Sequence, residues 1–169
     1  NDPQVENIVP IEVTSDTPDK GFVLVYTQRR HRIDTLFGFI QYDNIRSFAE
    51  QFASLVGIDR PTIDGRGKGD TIRVTATDVS IEGLIVADSG ADLGEQNAGI
   101  YIQPGAHRAR VSRCDFSYTL FGLWIEKAQD VVIEHNLITG KRDLDSSQRG
   151  NGIQLYNTTG AKIVGNNIS

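Results

Sequence analysis

Methionine is absent, cysteine and tryptophan occur once each, and only 5 of the 169 residues are proline. The single cysteine, Cys114, excludes an internal disulfide. No stretch reaches the ~18 consecutive apolar residues of a membrane span, so no membrane insertion is expected. Positive charge is not in excess: 17 basic against 22 acidic residues give a net charge of −5, which argues against nucleic acid as a partner. The chain opens with Asn1 and shows no signal peptide, which reads as a processed or partial chain. The length suits one domain that can bury a core without disulfides or metals.

What the chain does have is a repeat. Ala76–Val86, Ala106–Phe116, Ala128–Ile138 and Gly160–Ile168 align, with Ile81, Val111, Ile133 and Ile163 as equivalent apolar residues at spacings of 30, 22 and 30. A second short apolar segment precedes each: Thr71–Val74, Gly99–Ile102, Gly122–Ile125 and Gly152–Leu155. Apolar residues alternate with period 2 inside every segment, which means strands with one buried face each. Parallel strands in a flat sheet need long crossovers, and the repeat leaves no room for them. The expected fold is all-β: a right-handed parallel β-helix of about four coils from residue 62 on, its hand taken from the general crossover preference. Gly99, Gly122 and Gly152 fall at matching positions, read as corners needing a permissive backbone.

Leu84, Cys114, Asn136 and Asn166 share one column. Asparagine at a coil turn can point inward and bond its neighbour's amide and the local backbone. Cys114 is expected to pack there as a small apolar residue, with metal ligation as the other reading. The two 30-residue spacings place extra loops, Ser89–Asn97 and Lys141–Arg149, at the same corner of the first and third repeats. They read either as one joint site or as unrelated excursions.

Residues 1–57 do not follow the repeat. Residues 1–20 are polar with three prolines and read as loop; Gly21–Tyr26 could be a strand. Ile45, Phe48, Ala49, Phe52, Leu55 and Val56 form a helical stripe with Asp43 or Asn44 as N-cap, predicting an amphipathic capping helix over 44–56 that plugs the first coil. The division is thus an N-terminal segment, 1–57, and β-helix repeats, 58–169.

Ile58–Pro61, Asp64-Gly-Arg-Gly-Lys-Gly69, Gly83–Leu93, Asn97–Ile102, Thr119–Ile125 and Arg149–Asn157 are long motifs in one order. Through them residues 58–169 resemble the NosD family of periplasmic maturation proteins of nitrous oxide reductase. The resemblance implies a non-enzymatic periplasmic β-helix that works with an ABC-type ATPase and permease in assembling a copper–sulfide centre. Implied partners are the ABC transporter subunits and nitrous oxide reductase or a copper chaperone; copper itself is implied as passed on, not as an intrinsic cofactor. Two features depart from the family pattern: only Thr62-Ile63 stands where a further strand pair is usual, and residues 1–57 match poorly. The chain ends inside a coil at Ser169, so a fragment is expected.

Copper sites use thiolate, thioether or imidazole donors. The candidates are His107, His135 and Cys114, with His31 set among arginines; no two have ligand spacing on one strand face. The alternative function is a carbohydrate-binding or polysaccharide-cleaving β-helix. Glu82 and Glu134 share an outward column with Ser112 between them, about 9–10 Å apart, at the limit for an inverting acid pair. They are read as acids standing alone. Tyr101 and Trp124 alternate outward on adjacent coils as a shelf for a sugar ring or a protein. Partner-binding candidates on the loops are Asp92, Arg142, Asp143 and Arg149. Gly65–Asp70 lacks Walker spacing and reads as a turn.

Overall fold

The computed structural model describes residues 22–27, 36–37, 53–58 and 60–169, with side chains for 55–57 and 60–169. Its elements follow the repeat. Three short strands and three corners make each coil, and equivalent strands stack in parallel.

The first coil is β3 (Ala53–Ile58), β4 (Thr62–Asp64) and β5 (Ile72–Val74). The second is β6 (Ser80–Glu82), β7 (Ile85–Ala87) and β8 (Ala98–Ile102); the third is β9 (Arg110–Ser112), β10 (Asp115–Thr119) and β11 (Phe121–Glu126). The fourth is β12 (Val132–Glu134), β13 (Leu137–Gly140) and β14 (Ile153–Tyr156), and β15 (Lys162–Val164) and β16 (Asn167–Ile168) begin a fifth. Three sheets result: A (β3, β6, β9, β12, β15), B (β4, β7, β10, β13, β16) and C (β5, β8, β11, β14).

Register places Leu55, Ile81, Val111, Ile133 and Ile163 in one file on sheet A. Ile63, Val86, Phe116, Ile138 and Ile168 form the file on sheet B, and Ile72, Ile100, Leu123 and Ile153 one on sheet C. Apart from Ile163 and Ile168 in the last coil, which are exposed, the three files meet in a single core. Each fully buried aliphatic side chain is worth roughly 1.5–3 kcal/mol, and files of them hold the stack.

Three expectations are corrected. The coils begin at Ala53, not residue 62, because Leu55 sits over Ile81 and continues the sheet A file. The predicted helix over 44–56 gives way at its end, where Ala53–Val56 lies in β3; residues 44–52, like His31, lie outside the described residues. The last residues of that stripe satisfy their backbone groups as a strand, on β6 at one edge and antiparallel on β1 (Phe22–Thr27) at the other. With β2 (Leu36–Phe37) on β1, the first edge of sheet A is covered.

The third correction concerns the glycine column. Gly99, Gly122 and the residue before β14, Gly152, have no positive φ. They are small because the sheet B file presses on them. A Cβ at Gly99 would lie 2.7 Å from the Phe116 ring, and one at Gly122 or Gly152 would collide with Ile138 or Ile168. One column of left-handed residues, Gly83, Arg113, His135 and Gly165, turns the chain from sheet A into sheet B.

Candidate functional site

Three outer surfaces hold the sequence-predicted residues. The first is the corner between sheets B and C. Loop 89–97 joins β7 to β8, and loop 141–149, with a 3-10 turn at Ser146–Gln148, joins β13 to β14. The coil between them turns the same corner with Leu120 alone. Both loops fold onto it. Ser89 Oγ accepts the Leu120 N–H at 2.8 Å, and the Lys141 N–H donates to Thr119 O at 3.2 Å.

Lys141 crosses that coil. Its ammonium is buried, 3.0 Å from Asp88 Oδ1 on the second coil and 3.8 Å from the Tyr118 ring centre. Tyr118 sits on a bulge of β10 with φ 56° and donates its hydroxyl to Asp143 Oδ2 at 2.7 Å. That bond holds the Asp143 carboxyl below its usual value and pushes the Tyr118 phenol up.

The candidate residues on these loops divide accordingly. Asp92 Oδ1 accepts the N–H groups of Gly94 and Glu95, and Arg149 donates to the carbonyls of Arg142 and Leu144, so both shape their own loops. Arg142 reaches Ser169 Oγ at 2.9 Å and is exposed. Beneath the second loop Lys141, Arg142, Arg149, Asn151 and Ile168 line an open cavity of about 380 Å³.

The second surface is the outer face of sheet A. Glu82, Ser112 and Glu134 do share a column. The reading of solitary acids is corrected, because arginines on the third coil take both. Arg113 Nε donates to Glu82 Oε1 at 2.9 Å, and Arg110 pairs with Glu134. Ser112 between them is buried, its hydroxyl without a partner. Both carboxylates are thus engaged by a guanidinium. Sequence spacing missed the arginines because each reaches its acid from a neighbouring coil.

Asp78 and Arg108 extend this stitching, with guanidinium bonds of 2.7 and 2.6 Å. The Arg108 hydrogen bond holds the Asp78 carboxyl below its ordinary 3.8. A carboxyl lowered on folding contributes stability above its unfolded pKa and loses it as pH falls through the folded value. Urea midpoints at neutral pH and at about pH 3 should therefore fall more for wild type than for Asp78→Asn. An equal fall would remove the pair from the acid response.

The third surface is the outer face of sheet C. Tyr101 and Trp124 are cross-strand neighbours. Tyr101 is no free shelf, since it is 7% exposed. Arg73 lies 4.4 Å over its ring, and its hydroxyl donates to Glu126 at 2.5 Å. Burial first, then Glu126, push its pKa up to about 12. Trp124 is half-buried. Phe121 meets it edge-on at 4.9 Å, and Tyr156 stacks on it at 6.4 Å with planes 27° apart. Leu144 of the second corner loop packs against this cluster. Tyr156, 48% exposed, was missed in the sequence. Its signal was the outward alternation of Gln154 and Tyr156 beside Trp124 and Glu126.

The donors suggested for copper do not assemble. Cys114 is fully buried, and burial pushes its thiol up to about 11. His107 Nδ1 accepts the Gln129 N–H at 3.0 Å, and the His135 ring packs under Gly165. Among the described residues no three His, Cys, Asp or Glu side chains are grouped to hold a metal ion, so these residues do not fit a copper site.

The Asn column is a bonded ladder. Asn166 Oδ1 accepts the Asn136 N–H at 3.0 Å and its Nδ2 at 2.8 Å; Asn136 Oδ1 accepts the Cys114 N–H at 2.9 Å. Each amide also donates back to sheet A, Asn136 to Val111 O and Asn166 to Ile133 O. Cys114 extends the pattern: its thiol donates to Ser112 O at 3.3 Å and is hydrogen-bonded by the backbone of Leu84 and Gly83. Leu84 ends the ladder with an apolar side chain.

The family described as right-handed beta helix region matches residues 57–169. A protein of Stutzerimonas stutzeri named "Probable ABC transporter binding protein NosD" is 32% identical over 106 residues, covering 63% of this chain and 24% of that protein. A protein of the same name from Pseudomonas aeruginosa is 30% identical over 130 residues, covering 72% of this chain and 30% of that one. The matched part of the chain thus spans 24% and 30% of the length of these relatives. No solved structure matches it, and among the described residues no helix is long and apolar enough to cross a membrane. Stacked parallel coils and the family match agree: this chain belongs to the right-handed beta helix family, and its coils are similar to those of NosD proteins.

Proposed function

We propose that the chain is a non-enzymatic, periplasmic, NosD-like accessory protein that binds an ABC transporter and serves maturation of the copper centre of nitrous oxide reductase. The similarity to two proteins named as ABC transporter binding proteins carries this reading. The geometry adds two supports. The acid pair of sheet A is committed to arginines, and the possible copper donors are dispersed, so the coils suit protein contact better than chemistry or metal storage. Copper is then cargo of the assembly, which includes nitrous oxide reductase or a copper chaperone.

The contact surface is placed on the two corner loops. They stand on one edge, and the Lys141–Asp88 pair fixes the second loop to the coil that bears the first. Exposed Arg142 and Asp143 offer both signs of charge there. The chain is to be immobilised and titrated with the detergent-solubilised permease–ATPase complex that serves NosD proteins. Replacing the two exposed loop residues Arg142 and Asp143 together by alanine, with Asp92 and Arg149 kept because they shape the loops, should weaken binding at least about tenfold, as loss of a few charged contacts does. The circular dichroism spectrum should not change. Undiminished binding by the folded variant would move the contact off the loops; no binding by wild type would refute the transporter reading.

A further inference from the structure

Arg60, Arg73, Arg108, Arg110 and Arg113 each pair with a carboxylate. Arg142 and Arg149, on the second corner loop, differ. They bond only neutral oxygens: Arg142 the Ser169 hydroxyl, and Arg149 the carbonyls of Leu144 and Arg142. Asp143, next in sequence to Arg142, feels the Arg149 charge but takes its hydrogen bond from the Tyr118 hydroxyl.

Arg142 and Arg149 both line the open cavity of about 380 Å³ beneath the loop. Lys141 lines it too, but its ammonium is paired with Asp88. No aspartate or glutamate lines the cavity, so its two guanidinium groups face it without an internal anion. Much of the remaining wall is aliphatic or bare backbone, formed by Leu120, Ile138 and Ile168 with four glycines between them. The volume falls within the roughly 300–1,000 Å³ of ligand pockets.

This chemistry narrows the occupant. A guanidinium presents a planar fork of N–H donors that matches a carboxylate. Charge complementarity therefore calls for an acid. A small, strongly hydrated anion would leave the aliphatic wall uncovered. An acidic side chain carried by a peptide places its carboxylate on the arginines and lays a neighbouring apolar side chain on Leu120, Ile138 and Ile168.

We propose that the cavity beneath loop 141–149 receives an acidic peptide segment of a partner protein, a carboxylate flanked by an apolar side chain. This names the partner chemistry of the corner-loop contact and rests on that reading. A short peptide stands in for the transporter in the test, so that each can fail alone.

The isotope-labelled 169-residue chain is to be titrated with acetyl-Ala-Leu-Glu-Leu-Ala-amide and followed by backbone amide chemical shifts. Saturable shifts are expected at Gly140, Gly150 and Gly152, which line the cavity. The peptide with glutamine in place of glutamate should bind at least about tenfold more weakly. Arg142→Gln should weaken binding of the acidic peptide about tenfold as well. Arg142 is exposed, so the variant's circular dichroism should match wild type. Four results would overturn the proposal: no saturable shift at the cavity glycines, equal affinity for the glutamine peptide, unchanged affinity in Arg142→Gln, or equal affinity for sodium acetate, which marks a simple anion site. Peptide binding without transporter binding would keep the cavity and refute the transporter reading; transporter binding without peptide binding would do the reverse.

Discussion

Phe116→Ala is expected to lower the unfolding free energy by about 3–5 kcal/mol, the range for removing a fully buried phenylalanine. The ring is 1% exposed and stands in the sheet B file between Val86 and Ile138. The space it fills is space that Gly99 leaves, and no neighbour can collapse into it without moving the backbone of β8. In a stack where each coil rests only on its neighbours, a cavity in the third coil weakens both adjoining interfaces. Urea denaturation followed by far-UV circular dichroism measures the loss. The reciprocal change, Gly99→Ala, should cost about 1–3 kcal/mol through overpacking against the same ring. In a Phe116→Leu background that penalty should shrink, with a coupling of about 0.5 kcal/mol or more. Relief should stay partial, because the new methyl would still lie 2.9 Å from Gly122 O. A cost below about 1 kcal/mol for Phe116→Ala would mean that the file does not carry the stack.

The Ile81, Val111, Ile133 and Ile163 file was readable because strand alternation and the repeat spacing specify one register. The corner position of both long loops followed from the same arithmetic. Interactions between coils were harder to read. Arg110 and Arg113 neutralise acids that lie 24 and 31 residues away, and nothing local marks them as partners. Lys141 opens a polar loop, yet it is buried against Asp88, 53 residues distant. The glycine column was visible but its cause was not, since a collision with Ile138 or Ile168 needs the third dimension. The 44–56 stripe fitted a helix by spacing, while the edge of β6 offered its last residues a strand partner that spacing does not see. Tyr156 was overlooked because its stacking partner, Trp124, lies diagonally across two strands rather than in its own column.

The ladder gives the other large expected effect. Asn136 is 2% exposed and serves three partners: the Cys114 N–H, Val111 O and the Asn166 amide. Asn136→Ala strands the first, a buried N–H, while Val111 O stays in the β9–β12 ladder, so a loss of about 1–3 kcal/mol is expected. Asn136→Cys separates two accounts of the column. If the position needs only a small packed side chain, cysteine and alanine should differ by no more than about one buried methylene, ~0.8 kcal/mol. If the column works as a hydrogen-bond ladder, cysteine should recover more, because at position 114 a thiol already donates to a carbonyl and is bonded by the backbone above it. The expected order of stability is therefore Asn, then Cys, then Ala, with Asn136→Cys at least about 1 kcal/mol above Asn136→Ala in urea denaturation. Equal stability of the two variants would return Cys114 to the role of an apolar filler and confine the ladder to its two asparagines.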